Sequence, residues 1–183
     1  IIFSGFKSYR LYWSGIYAGL FAPVPFTVWT LLAQFSQALF QDSQPQPFFY
    51  HALNLFFHIL NSGLVYLLLH ELLDAPARNL KKKKELPEYE YQRNWAALLG
   101  AALFALHPVQ VEAVAWATGF KDIIFGFFSL LCMYYVVRDR LWAASIVYVL
   151  ALFSKPTAAI LPLLGIWFLF MTGQKPSRRY LYI

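Results

Sequence analysis

Long apolar runs separated by short polar segments dominate the pattern along this chain of 183 residues. A helix needs about 17–25 mostly apolar residues to cross the hydrocarbon core of a bilayer. Residues 48–73 and 120–137 have this length, whereas the apolar stretch at 94–107 reaches it only with its flanking residues. The pattern therefore predicts three membrane-spanning helices, at about 48–73, 94–107 and 120–137.

A longer apolar stretch follows at 141–171. As one helix it would extend about 46 Å, which exceeds the ~30 Å thickness of the hydrocarbon core. The stretch is interrupted at Lys155 and Pro156, and proline disfavours helix in the residue before it. We therefore predict two short helices, at 141–154 and 157–171.

The first 47 residues are a poor candidate for a span, because prolines and glutamines lie among their aromatic residues. Residues 28–40 are typical of an amphipathic helix that lies in the membrane interface. The face of this helix buried in the interface would carry Trp29, Leu32, Phe35 and Leu39. We predict that 1–47 form a separate segment with an interfacial helix, and that 48–183 form the transmembrane bundle.

The composition excludes several classes of protein. Hydrophobic residues make up 60% of the chain and charged residues only 13%, against about 45–50% and about 25% in average soluble domains. These values exclude an ordinary soluble domain and a disordered chain. The net charge of +6 comes from scattered residues, so we expect no nucleic-acid partner. One cysteine, Cys132, provides neither a disulfide nor a thiolate metal site. We expect an all-α integral membrane protein.

The basic residues indicate its orientation. Segments 74–94, 138–140 and 173–183 hold 11 of the 15 Lys and Arg residues. The positive-inside rule then predicts that 74–94 are cytoplasmic and that 1–47 are extracytoplasmic. The remaining basic residues lie outside: Lys7, Arg10, Lys121 and Lys155.

Two local features extend this topology. The Lys81–Lys84 run is a cytoplasmic topology signal with some affinity for anionic lipid headgroups. The first residue, Ile1, is not Met and is not followed by a signal sequence. An N-terminus held outside the membrane without a signal sequence predicts an upstream helix, so we expect a piece of a longer chain.

Three groups of polar residues are candidates for chemistry. The first lies on the helix at 48–73, where spacings of 3, 4 and 3 place four residues on one stripe: His51, Asn54, His58 and Asn61. Such a stripe either lines a wet cavity or forms hydrogen bonds between helices. Metal binding by the histidines is a weaker alternative.

The second group is in residues 106–116, with the sequence LHPVQVEAVAW. We expect the helix to break at His107–Pro108 and an interfacial segment to follow. Glu112 lies among apolar neighbours, where a carboxylate needs a proton or a cation and can act as a base or a metal ligand. The alternative is a kinked connector in which Glu112 faces water.

The third group consists of Lys121, Asp122 and Lys155, on the side that the positive-inside rule disfavours for lysine. Two ammonium groups at the depth of the headgroups can hold a phosphate. The alternatives are a local ion pair between Lys121 and Asp122, and a Lys155 side chain that extends to the interface. All three groups are predicted on one membrane face.

Several motifs resemble those of the TMTC-type membrane glycosyltransferases, a family of O-mannosyltransferases with tetratricopeptide repeats and many bacterial relatives. Residues 50–61 (YHALNLFFHILN) resemble their "YHLxNLLLHxxN" helix, and residues 106–116 resemble "LHPVxxEAVAW". Residues 119–122 (GFKD), 152–156 (LFSKP) and 19–27 (GLFAPVPFT) are similar to "GRKD", "LLSKP" and "GLYIPVTYT". The matches keep their order over nearly the whole chain.

The resemblance implies a GT-C-like multi-pass helical bundle with extracytoplasmic interfacial helices. A sugar such as mannose would move from a polyprenyl-phosphate carrier to a protein or glycan acceptor, in the bacterial inner membrane or the endoplasmic reticulum. Such enzymes carry an acidic pair in the first external loop, whereas the only early acid here is Asp42. The resemblance thus implies that the chain begins after the catalytic acid, ends before any repeats, and is inactive alone.

The resemblance also implies roles for single residues. His107 and Glu112 would line the catalytic site near the acceptor or a divalent metal, although no cofactor is certain. Lys121 and Lys155 would hold the carrier phosphate, and Asp122 would be a further substrate-binding residue beside them. His51, Asn54 and His58 would shape the cavity, and Trp116 would face sugar or lipid.

Two other classes remain open. A transporter or lipid-carrier flippase would place Lys155 at the centre of the bilayer. A non-catalytic membrane scaffold would bury the whole stripe from His51 to Asn61 between helices, with no cavity beside it.

Overall fold

The structure is a computed structural model that describes residues 5–16, 19–40, 46–78 and 87–172. All regular secondary structure in these residues is helical, which confirms the predicted all-α class. The helices are α1 (Gly5–Ser14), α2 (Pro23–Phe40), α3 (Pro47–Arg78), α4 (Pro87–Leu106), α5 (Gln110–Ala115), α6 (Phe120–Val137), α7 (Leu141–Ser154) and α8 (Leu161–Met171). The predictions for Ile1, Asp42, Lys81–Lys84 and 173–183 lie outside the described residues.

Within the described ranges, two stretches are long and apolar enough to cross a membrane by length and composition, Pro47–Asp74 and Ala117–Val137. The break predicted after residue 154 is present. Lys155 has an extended backbone with φ −156°, and a 3₁₀ turn over Pro156–Ile160 leads into α8. A proline at the start of the turn has no N–H to donate, so the helix ends where the sequence predicts.

Helix α3 packs between α4 and α6, and α6 packs on α7 and α8. Leu73 of α3 accepts a hydrogen bond from Tyr89 at the start of α4, so these two helices are antiparallel. Helix α6 runs parallel to α3, because Arg138 at its C-terminal end pairs with Glu71. We call the two ends of this bundle the His107 end and the Arg138 end.

The outward faces of these helices are largely apolar. Many leucine, isoleucine and phenylalanine side chains there are more than half exposed, whereas large exposed apolar areas are rare on soluble monomers. Such an exterior fits a lipid environment. Members of this exposed set on α3, α4, α7 and α8 include Phe56, Ile59, Leu99, Leu103, Ile146, Leu163 and Phe170.

Helices α1 and α2 pack over the His107 end, where Trp29 of α2 lies against Phe120 at the start of α6. Trp29 is 8% exposed, whereas Phe35 and Leu39 are 57% and 58% exposed. The prediction that Trp29 lies on the face buried in the membrane interface is therefore wrong, because Trp29 faces the protein core. Phe35 and Leu39 remain on the outer surface, and the helix begins earlier than expected, at Pro23.

Candidate functional site

One face of α3 is buried along most of the helix, and its residues recur at spacings of three and four. These residues are Asn54, His58, Asn61, Leu64, Leu68, Glu71 and Asp74. The stripe is polar at both ends and aliphatic in the middle. From Asn54 to Glu71 it extends roughly 26 Å along the helix, close to the ~30 Å hydrocarbon core. Polar contacts thus lie where the ends of a span would be.

Asn54 is fully buried and joins α3 to the segment after α5. Its Nδ2 donates to the carbonyl oxygen of Trp116 at 2.7 Å and to that of Val114 at 3.2 Å, with a longer contact to Ala113 at 3.5 Å. Its Oδ1 has no hydrogen-bond partner among the described residues. The side chain therefore holds the backbone of this segment and does not face a cavity.

The next two stripe residues also bond to backbone carbonyls. His58 Nε2 lies 3.0 Å from the carbonyl oxygen of Ala105, and because that oxygen only accepts, Nε2 carries the proton. Asn61 Nδ2 donates to the carbonyl oxygen of Ile123 at 3.0 Å. His51, in contrast, is exposed. Three of the four predicted residues therefore connect helices, which is one of the two alternatives for the stripe.

A pocket of about 360 Å³ lies beside His58, between α3, α4 and α5. His58, His107 and Gln110 are its polar residues. The other residues of its wall are Leu55, Ala105, Leu106, Val111, Val114 and Ala115. His58 thus lies beside a mostly apolar pocket, while His51 and Asn54 are not part of its wall.

As predicted, the helix is interrupted at His107–Pro108, where a turn separates α4 from α5. His107 is exposed, and its Nδ1 accepts a hydrogen bond from the backbone N–H of Val109 at 3.2 Å. Because Nδ1 accepts this bond, the neutral ring of His107 carries its proton on Nε2. Glu112 is exposed on α5, which corresponds to the alternative in which its carboxylate faces water.

Gly119 allows the segment after α5 to pack closely. A Cβ atom at Gly119 would overlap the backbone of Ala113, lying 2.8 Å from its carbonyl carbon. Only glycine fits such an approach without displacement of the backbone. The contact fixes the short distance between α5 and the start of α6, and with it the position of the exposed Trp116.

Asp122 and Lys155 form an ion pair in which Oδ1 and Nζ are 2.5 Å apart. Asp122 thus pairs with Lys155, and not with Lys121 as in the alternative of a local ion pair. Lys155 Nζ also lies 5.9 Å from the centre of the Phe125 ring. Lys121 is half-buried and has no ion pair among the described residues. Asp122 is in the first turn of α6, so the pair lies near one end of the bundle.

The predicted site residues thus share the His107 end of the molecule, although they do not form one contiguous cluster. His58 and His107 meet at the pocket, and Asp122 and Lys155 meet at the break after α7. Glu112 and Trp116 are exposed on the segment between these two places.

Ion pairs at the Arg138 end were not predicted. Asp74 pairs with Arg93 at 2.6 Å, and Glu71 pairs with Arg138 at 2.8 Å. Both acids continue the spacing of the α3 stripe, so the helical periodicity of the sequence could have predicted that Glu71 and Asp74 lie on the buried face. They connect α3 to α4 and to the end of α6.

No group of three or more His, Cys, Asp or Glu residues that could hold a metal ion occurs in the part of the chain that the structure describes. No family model, no curated protein and no solved structure matches the chain.

Proposed function

We propose that this chain is the membrane-embedded part of a glycosyltransferase that uses a polyprenyl-phosphate-linked sugar. The sugar, for example mannose, would pass to a protein or glycan acceptor on the extracytoplasmic or lumenal face of the bacterial inner membrane or the endoplasmic reticulum. The observation that carries the proposal is that Lys121, Asp122 and Lys155 share one end of an apolar bundle with His107 and Glu112. The motif resemblance is a second, independent support.

The residues suggest how the reaction proceeds. As the sugar leaves its carrier, negative charge develops on the carrier phosphate, and the ammonium groups of Lys121 and Lys155 would stabilise it. Glu112 is exposed and therefore accessible to an acceptor hydroxyl, whose proton it would accept. Because Nδ1 of His107 accepts from the N–H of Val109, Nε2 carries the proton of the neutral ring and would donate a hydrogen bond to a substrate oxygen in the same region. Trp116 offers an exposed aromatic face to sugar or lipid.

The rival classes differ in where they put these groups. A transporter or flippase places charged groups at the centre of its helices. Lys155 pairs with the first turn of α6, near a helix end, and this supports an enzyme of lipid carriers. A scaffold would leave no cavity beside the α3 stripe, whereas a pocket lies beside His58.

The test is a transfer assay on the product of the complete gene, reconstituted in phosphatidylcholine nanodiscs with radiolabelled polyprenyl-phosphate mannose. We expect Glu112→Gln and Lys155→Ala each to lower transfer at least tenfold, corresponding to about 1.4 kcal/mol or more in transition-state stabilisation. Glu90→Gln, an equivalent change of an exposed acid on α4, is the matched control and leaves transfer unchanged. Unchanged turnover in both site variants would contradict the assignment, and movement of the labelled lipid between leaflets without transfer would favour a flippase.

A further inference from the structure

We propose that Asp122 is a built-in competitor for the phosphate ligand of Lys155, so that its carboxylate weakens the binding of a phosphate ester at this position. The inference rests on the proposed function, since it takes Lys155 as a phosphate-binding residue. In this inference Asp122 does not bind the phosphate. Its carboxylate limits how tightly the site holds a phosphate.

The geometry of the pair is the first argument. Asp122 Oδ1 lies 2.5 Å from Lys155 Nζ and takes one of the three N–H donors of the ammonium group. The two side chains are 52% and 39% exposed, so a ligand can reach both without unfolding the surrounding helices. A carboxylate and a phosphate oxygen are both acceptors for an ammonium group and carry the same sign of charge. Asp122 therefore competes with a phosphate ester for the ammonium group, through charge repulsion and by holding one of its N–H donors.

The anchoring of Lys155 is the second argument. Its backbone N–H donates to the carbonyl oxygen of Ala151, and its own carbonyl accepts from Ala158, so the break between the helices is held without the Asp122 side chain. The Phe125 ring is 5.9 Å from Nζ and remains as a neighbour when the carboxylate leaves. Lys155 thus stays positioned after displacement of Asp122.

The charge of the site is the third argument. Lys121, Asp122 and Lys155 sum to +1, and the charge becomes +2 when the carboxylate is removed. Exposed ion pairs contribute only about 0–1 kcal/mol, so displacement of Asp122 weakens phosphate binding by up to about fivefold and does not prevent it. Because the affinity of such a site is moderate, it binds the sugar-loaded carrier and also releases the carrier phosphate after the sugar has been transferred.

The experiment measures binding of undecaprenyl phosphate to the product of the complete gene in neutral phosphatidylcholine nanodiscs. We expect Asp122→Asn to tighten binding measurably, by up to about fivefold, and Lys155→Ala to weaken it by at least about fivefold. Asp139→Asn is the matched control, because it removes one exposed carboxylate at the Arg138 end and leaves binding unchanged. Parallel arms with phosphatidylglycerol and with inorganic phosphate distinguish a lipid headgroup from free phosphate as the source of the ligand.

Binding that is unchanged or weaker in Asp122→Asn would overturn the inference, provided that its unfolding temperature matches the wild type. A double variant, Asp122→Asn with Lys155→Ala, keeps the test decisive: the gain from Asp122→Asn must disappear when Lys155 is absent. Absence of phosphate binding in every arm also overturns it. Phosphate binding that depends on Asp122 without any sugar transfer would instead retain this inference and refute the proposed function.

Discussion

Asn54 donates its side-chain amide to the carbonyl oxygen of Trp116 at 2.7 Å, across 62 positions of sequence. The bond joins a fully buried residue of α3 to the segment between α5 and α6. That segment leads directly to Lys121 and Asp122. The position of the candidate phosphate site therefore depends on a side chain that belongs to a different helix.

Removal of this amide is expected to destabilise the protein. Asn54→Ala leaves buried backbone carbonyls without their donor, which costs about 1–3 kcal/mol in the free energy of unfolding. His51→Ala, on the same stripe but exposed, is the control and changes stability by less than about 0.5 kcal/mol. Thermal unfolding in detergent, followed by circular dichroism, measures both. Equal unfolding temperatures for the two variants would show that the Asn54 bonds contribute nothing.

A methyl group at Gly119 is expected to separate α5 from α6. Gly119→Ala forces Cβ into the backbone of Ala113 and should lower stability by about 1–3 kcal/mol. Gly63→Ala meets no atom within 4 Å and replaces a helical glycine, so it should be neutral or stabilising by about 0.5–1 kcal/mol. Unfolding curves of the two variants should shift in opposite directions. A Gly119→Ala protein as stable as the wild type is incompatible with this close approach.

The two arginine pairs at the Arg138 end are expected to differ in strength. The Arg93 and Asp74 side chains are 11% and 13% exposed, whereas Arg138 is 51% exposed. Water is largely excluded from the Arg93 side chain but reaches the Arg138 side chain, so Arg93→Met should destabilise by about 3 kcal/mol and Arg138→Met by about 1 kcal/mol or less. Chemical unfolding at two salt concentrations measures these values. The order of the two effects is the prediction, and the reverse order contradicts it.

The proposed orientation predicts which end is accessible from each side of the membrane. Thr118 and Asp139 are exposed at opposite ends, and Cys132, the native cysteine, is 6% exposed. In a Cys132→Ala background, a membrane-impermeant maleimide added to intact cells or sealed lumenal-side-out vesicles should label Thr118→Cys. Asp139→Cys should react only after permeabilisation. Labelling with the opposite sidedness would reverse the topology and place the lysines of the candidate site in the cytoplasm.

The sequence predicted local features well because their causes are local. The break at Lys155 follows from Pro156, and the turn after α4 follows from Pro108, since proline restricts its own backbone and that of the residue before it. The polar stripe on α3 was visible up to Asn61, because helical periodicity alone defines a face. The same periodicity extends to Glu71 and Asp74, which were assigned to the end of the span and its cytoplasmic flank.

The sequence by itself determined the helical class, the apolar runs, the helix breaks and the shared face of Asn54 and His58, because these depend on composition and on spacing along one segment. The tertiary structure alone decided what each polar side chain contacts. Asn54 bonds to backbone carbonyls that are identical in every residue type, and such partners leave no trace in a sequence pattern. The sequence offered Asp122 two possible partners, the adjacent Lys121 and Lys155, which is 33 positions away. The packing of α6 against α7 brings Lys155 to Asp122, and a sequence pattern does not contain this contact.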